Sequence, residues 1–94
     1  MEKFNGYTNY ETWRVNLEYI DGIDHEYLVE CFDRVDPYDV AQTLKGWTED
    51  FVNEEVRGVN RDGIVYGWVM AFLDDVNWLE IAEHVMEEHG IQTP

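Results

Sequence analysis

Asn77-Trp78-Leu79-Glu80-Ile81-Ala82-Glu83-His84-Val85-Met86-Glu87-Glu88-His89-Gly90 carries its own start and stop signals. Asn77 with Glu80 three residues on is a capping-box pattern, in which two side chains satisfy backbone N–H groups at a helix start. Trp78, Ile81, Ala82, Val85 and Met86 recur at helical spacing and define one apolar face. Gly90 ends the segment, because glycine readily takes the left-handed conformation that closes a helix.

Working back from there, Ile64 to Asp74 (IVYGWVMAFLD) is the most apolar part of the chain. Ten residues without alternation favour a buried helix over a buried strand, with Ile64, Trp68, Ala71 and Phe72 inward. Residues 57–63 (RGVNRDG) read as a loop. Asp36-Pro37 is a cap followed by proline at the first helical position, and Val40, Leu44, Trp47, Phe51 and Val56 follow on one face. Gly46 weakens the middle of that helix by about 1 kcal/mol relative to alanine. Asp24 caps a shorter helix with Tyr27, Leu28, Cys31, Phe32 and Val35 inside. Thr8 and Glu11 form a second capping box ahead of Trp13, Leu17 and Ile20, and Asp21-Gly22 stops that helix. Asn5-Gly6 reads as a turn. The expectation is an all-α protein: residues 1–94 as one acidic helical domain, a single small bundle of four to five helices.

Composition narrows the class. With 45% apolar and 15% aromatic residues the chain is ordered, unlike an acidic tail. A chain of this length buries roughly 60–68% of its unfolded surface, enough for one core. Cys31 is the one cysteine, so no intrachain disulfide framework exists. No apolar signal region opens the sequence and no run approaches ~18 apolar residues. These features lead us to expect a soluble, cytoplasmic protein.

Charge is the strongest functional signal. There are 21 acidic residues against 6 Lys+Arg, a formal net charge of -15, and no Lys or Arg follows Arg61. An ordinary small domain mixes signs and carries a net charge of magnitude ~2–8. This surplus disfavours direct binding of nucleic acid or an anionic membrane. Glu80, Glu83, Glu87 and Glu88 take the face opposite Trp78 and Ile81, about one carboxylate per ~5.4 Å turn. Glu49, Asp50, Glu54 and Glu55 form a candidate second row, and Asp74 and Asp75 a link between the two. Duplex DNA offers one negative charge per ~1.7 Å of axis, a density that acidic helix faces side by side approach. The competing reading of each cluster is a solvated helix face.

No catalytic constellation is present. His25-Glu26 begins like HExxH, but the second histidine position holds Val29. Glu80, His84 and Glu88 share a helix face at one-turn spacing, with His89 beside them, too few ligands for a closed metal site. Asp74 and Asp75 are adjacent, point ~100° apart on a helix, and lack a supporting cation. No glycine-rich phosphate loop or basic aromatic surface occurs. We therefore expect no enzyme, cofactor or metal. Cys31 reads as a small core residue and Trp13, Trp47, Trp68 and Trp78 as core first. Tyr7, Tyr10 and Tyr19 fall off the apolar face and are candidate contact residues.

Two segments carry a resemblance. Thr8-Asn9-Tyr10-Glu11-Thr12-Trp13 resembles the TNYETW opening of a family of small proteins encoded by phages and other mobile elements. Residues 76–84 (VNWLEIAEH) resemble that family's VNWxEIAxH segment. The resemblance implies a mobile-element origin and carries no catalytic residue across. By analogy of class, small acidic proteins of such elements include DNA-mimic inhibitors of restriction and CRISPR systems. The expected partner is then the basic nucleic-acid-binding channel of a host defence complex, met by the acids named above. The alternatives are an acidic protein–protein interaction module without mimicry, a charge adapted to a salty cytoplasm, and a small hydrolase or nuclease.

Overall fold

The computed structural model describes residues 4–58 and 63–94. Five helices follow in order: α1 Tyr10–Glu18, α2 His25–Cys31, α3 Pro37–Glu55, α4 Ile64–Asp74 and α5 Trp78–His89. A short 3-10 turn at Ile20–Gly22 follows α1. The bundle is all-α, as expected. The loop expected at 57–63 is described only at Arg57, Gly58 and Gly63; the rest lies outside the described residues.

The local signals explain most boundaries. Asn5 and Gly6 both have positive φ (48° and 88°), the geometry of a type I′ turn. Phe4 and Tyr7 close that turn with reciprocal backbone bonds of 2.7 and 2.8 Å. Asp36 Oδ1 accepts from Tyr38 N ahead of Pro37, so α3 starts as predicted. Gly90 takes φ 68° and lets Ile91 N bond Met86 O at 2.8 Å, closing α5.

The core lies chiefly between α3 and α5. Val40, Leu44, Ile81 and Ala82 are fully buried there, and Leu28 from α2 completes the seal. Truncating any of the larger ones costs about 2–5 kcal/mol.

The first helix differs from its sequence reading. Asn9, not Thr8, is the N-cap, and its Oδ1 accepts from Thr12 N at 2.9 Å. Thr12 and Val15 face inward, whereas Leu17 is 51% exposed and Trp13 only partly covered. The reason is a cross-helix clasp that needs Thr12 inside. Its hydroxyl donates to Asn9 Oδ1 and accepts from Asn77 N at 2.9 Å. In a self-contained capping box Glu80 would take the Asn77 N–H. Instead Glu80 Oε1 accepts from Thr8 N at 2.8 Å, and Thr8 Oγ1 accepts from Asn77 Nδ2 at 3.1 Å. Asn77 still caps α5 through Glu80 N, 3.1 Å away. Asn9 Nδ2 donates to Asp75 O at 2.7 Å, which ties in the end of α4. The TNYETW-like and VNWxEIAxH-like segments are thus one hydrogen-bonded joint between helix starts.

Two further corrections concern exposure. Cys31 is exposed rather than in the core, because α2 is seven residues long and turns Leu28 inward, with Phe32 buried just beyond it. Helix α4 is rotated from the orientation predicted: of the four residues expected inward, Phe72 packs against the core and the other three do not. Ile64 (67%) and Trp68 (65%) face out and Ala71 is exposed, while Leu73 is buried and Val69, Met70 and Phe72 are partly covered. Tyr66 donates to Asn53 Oδ1 at 2.9 Å, fixing that side toward α3. A helix apolar all round gives periodicity nothing with which to choose a face.

Candidate interaction surface

The carboxylates singled out in the sequence divide into groups. On α5, Glu83, Glu87 and Glu88 are exposed. Glu80 lies on the same outward side but is half-buried, because Tyr7 and Thr8 run across it. The Tyr7 ring packs at a tilt against His84, 4.9 Å between centres, and its hydroxyl accepts from Asn16 Nδ2 at 2.9 Å. Burial there raises the Tyr7 pKa above its ordinary 10.0, and the fields of Asp21, Glu80 and Glu88 add to the rise. Glu80 is therefore a joint residue and not a free carboxylate of the stripe.

On α3 the four acids do not form one row. Each residue advances ~100° around a helix, which puts Asp50 and Glu54 together on the flank beside Trp47. Glu49 lies on the far flank and is half-covered, and Glu55 ends the helix, exposed. Asp74 and Asp75 are exposed at the end of α4. Asp75 also contributes its carbonyl to Asn9. The sequence reading missed the grouping because helix ends and the Tyr7–Thr8 crossing, not spacing alone, set which acids meet solvent.

What it missed more seriously is the apolar surface. Ile64, Val65 and Trp68 on α4, Phe51 on α3, and Tyr10 and Leu17 on α1 are all exposed. Several of them border an open cavity of about 610 Å³ between α1, α3 and α4. Its walls are mainly Val15, Val52, Trp68, Val69, Phe72 and Leu73, with Arg14 and Glu18 at its edge. The signal was present as the apolar run of residues 64–73, read there as core. Of the tyrosines proposed as contacts, Tyr10 is exposed, while Tyr7 and Tyr19 are partly covered.

A second, shallower groove of about 520 Å³ lies where the Ile20–Gly22 turn, α2 and α3 meet. Tyr19, Tyr27, Trp47 and Phe51 supply aromatic walls, and Asp50 and Glu54 supply carboxylates. Tyr19 stacks on Phe51 (4.8 Å) and Tyr27 leans on Trp47 (5.5 Å). Trp47 rests on buried Phe32 (5.6 Å), so the floor is anchored in the core. Burial raises the Tyr19 pKa above 10.0, and the field of Asp50 adds to the rise.

Among the described residues no group of three or more His, Cys, Asp or Glu is placed to hold a metal ion. His25 and His89 share a hydrogen bond between Nδ1 atoms, 2.7 Å apart. No helix among the described residues is long and apolar enough to cross a membrane. Comparison with known protein families, with curated proteins and with solved structures finds no match to this chain.

Proposed function

We propose that this protein is an acidic protein-interaction module. It docks on a basic face of a partner protein, with the apolar outer side of α4 as contact centre, Glu18 and Asp74 as the carboxylates of its rim, and the remaining negative charge steering the encounter. The carrying observation is Trp68, 65% exposed beside exposed Ile64 and Val65, on a chain of net charge -15. An apolar helix face left uncovered on a small domain marks an interaction site. Aromatic anchors with a charged rim are the usual anatomy of an interface. The rim steers encounter and the anchors hold.

The partner class follows from the charge and from the mobile-element resemblance: a nucleic-acid-binding complex of a host defence system, whose basic channel attracts this body. The stripe of Glu83, Glu87 and Glu88, exposed with no cation after Arg61, favours a second form of the reading, in which carboxylates replace phosphates and exclude DNA.

Capture from host lysate tests this, using wild type, I64A/W68A and E83Q/E87Q/E88Q, with and without duplex DNA. Loss of the partner with I64A/W68A supports apolar docking. Loss with the charge variant or with DNA supports mimicry. An identical set of proteins on all three baits contradicts both.

A further inference from the structure

The aromatic groove beside α2 and α3 has a chemistry the module reading does not use. We propose that it is a receptor for an arginine side chain presented by a protein partner. The inference extends the reading of this chain as a protein-binding module, and uses a groove that adjoins the Trp68 cavity through Tyr19 and Phe51 but contains no residue of α4.

A guanidinium is planar, stacks on aromatic faces and donates hydrogen bonds in its plane to carboxylates. A site for it needs ring faces and carboxylates together. Here Tyr27, Trp47 and Phe51 offer rings, and Asp50 and Glu54 offer carboxylates, in one groove of about 520 Å³. That volume falls within the ~300–1,000 Å³ of ligand clefts. Tyr27 and Phe51 are about half exposed, so each leaves ring surface open to solvent besides the part that packs on Trp47 or Tyr19.

The chain already holds one of its own arginines this way. Arg14 lies over the Tyr10 ring, 5.7 Å from its centre, and bonds both Tyr10 Oη and Glu18. The proposed groove repeats that combination with more rings and an additional carboxylate. A quaternary ammonium has no donors and would leave the carboxylates unbonded. A neutral apolar side chain would desolvate them without return.

One cation competes. Arg57 Nη1 is 3.1 Å from Glu54 Oε1, in an ion pair with both side chains well exposed. Exposed pairs of this kind are weak, so Arg57 is displaceable and its removal should favour the incoming guanidinium.

The test is a titration of the ¹⁵N-labelled full chain with N-acetyl-arginine amide at low salt. It follows the Trp47 indole N–H and the amides of Tyr27, Asp50 and Phe51. The expected result is saturable shifts confined to the groove, with Kd on the order of 1 mM. The citrulline analogue, a neutral isostere, should bind at least about tenfold more weakly, as should D50N/E54Q toward arginine. R57Q should bind about two- to fivefold more tightly. D50N and E54Q alter exposed groups, and an unchanged amide dispersion shows that the fold survives. The proposal is overturned by shifts that fail to saturate, by equal binding of citrulline, or by D50N/E54Q binding like wild type. Those failures would leave docking through Trp68 untouched, because I64A/W68A reads that surface alone.

Discussion

Replacing Thr12 by valine keeps the side chain's shape and removes its hydroxyl. Thr12 is fully buried, and that hydroxyl is where α1 meets the start of α5. It accepts from Asn77 N at 2.9 Å and donates to Asn9 Oδ1. Asn9 keeps a partner in Thr12 N, but the Asn77 N–H is left facing a methyl group. Leaving such a group unsatisfied costs about 1–3 kcal/mol. Adding about 0.5–1.5 kcal/mol for the lost bond to Asn9 gives a loss of about 1.5–4.5 kcal/mol for T12V. For a domain of this size that lowers Tm by roughly 6–36 °C, at about 4–8 °C per kcal/mol. Thr12→Ser keeps both bonds and loses one buried methyl, about 1 kcal/mol. Urea unfolding followed by circular dichroism should rank wild type above T12S and T12S above T12V, at constant m. If T12V matches wild type, or T12S is the weaker of the two variants, Thr12 acts by apolar packing and the clasp does not hold the helices together.

The same joint separates Glu80 from its neighbours. Glu80→Ala should destabilise by about 1–2 kcal/mol, since Thr8 N loses its acceptor and the first turn of α5 a favourable charge, whereas Glu83→Ala should stay within about 0.5 kcal/mol, both read by urea midpoint. Cys31 in the native protein should react with a thiol reagent at nearly the rate of the urea-unfolded chain; protection of the native thiol would restore the core assignment. Tyr7 and Tyr19 hold their protons more tightly folded than unfolded, so their stabilising effect is complete below pH 10.0 and is lost as pH rises through the unfolded and then the folded pKa. Urea midpoints above and below that pH should fall accordingly, and less so in Y7F; an unchanged midpoint would contradict the burial of both rings.

The helical plan was legible because its punctuation is local. Asp36-Pro37, Asn77 and Gly90 each act on backbone within a few residues, and each boundary lies where those signals put it. Face assignment failed where the deciding contact is distant in sequence. Thr12 turns inward to meet Asn77, 65 residues away, and that rotation carries Leu17 outward. In α4, polar residues that would mark an outer face are absent, so Ile64 and Trp68 were as good candidates for the core as Val69 and Leu73. Of the acids, those on α5 beyond the Tyr7–Thr8 crossing were read correctly as exposed. The pairing of Asp50 and Glu54 with four rings was not legible, since Tyr19 and Tyr27 reach the groove from separate elements.

We propose that apolar docking through α4, with charge at its rim, holds the partner. The most direct measurement is the affinity of the captured partner for I64A/W68A and for E83Q/E87Q/E88Q at ~0.1 M and ~0.5 M salt, between which the screening length shrinks about twofold. The account predicts that I64A/W68A loses about 100-fold at both salts, as for anchor residues worth ~1–2 kcal/mol each. The charge variant should lose less than about tenfold, mostly in association rate and mostly at low salt. Full affinity in I64A/W68A, with binding abolished by E83Q/E87Q/E88Q or by salt, would contradict it and leave the carboxylates as the binding surface.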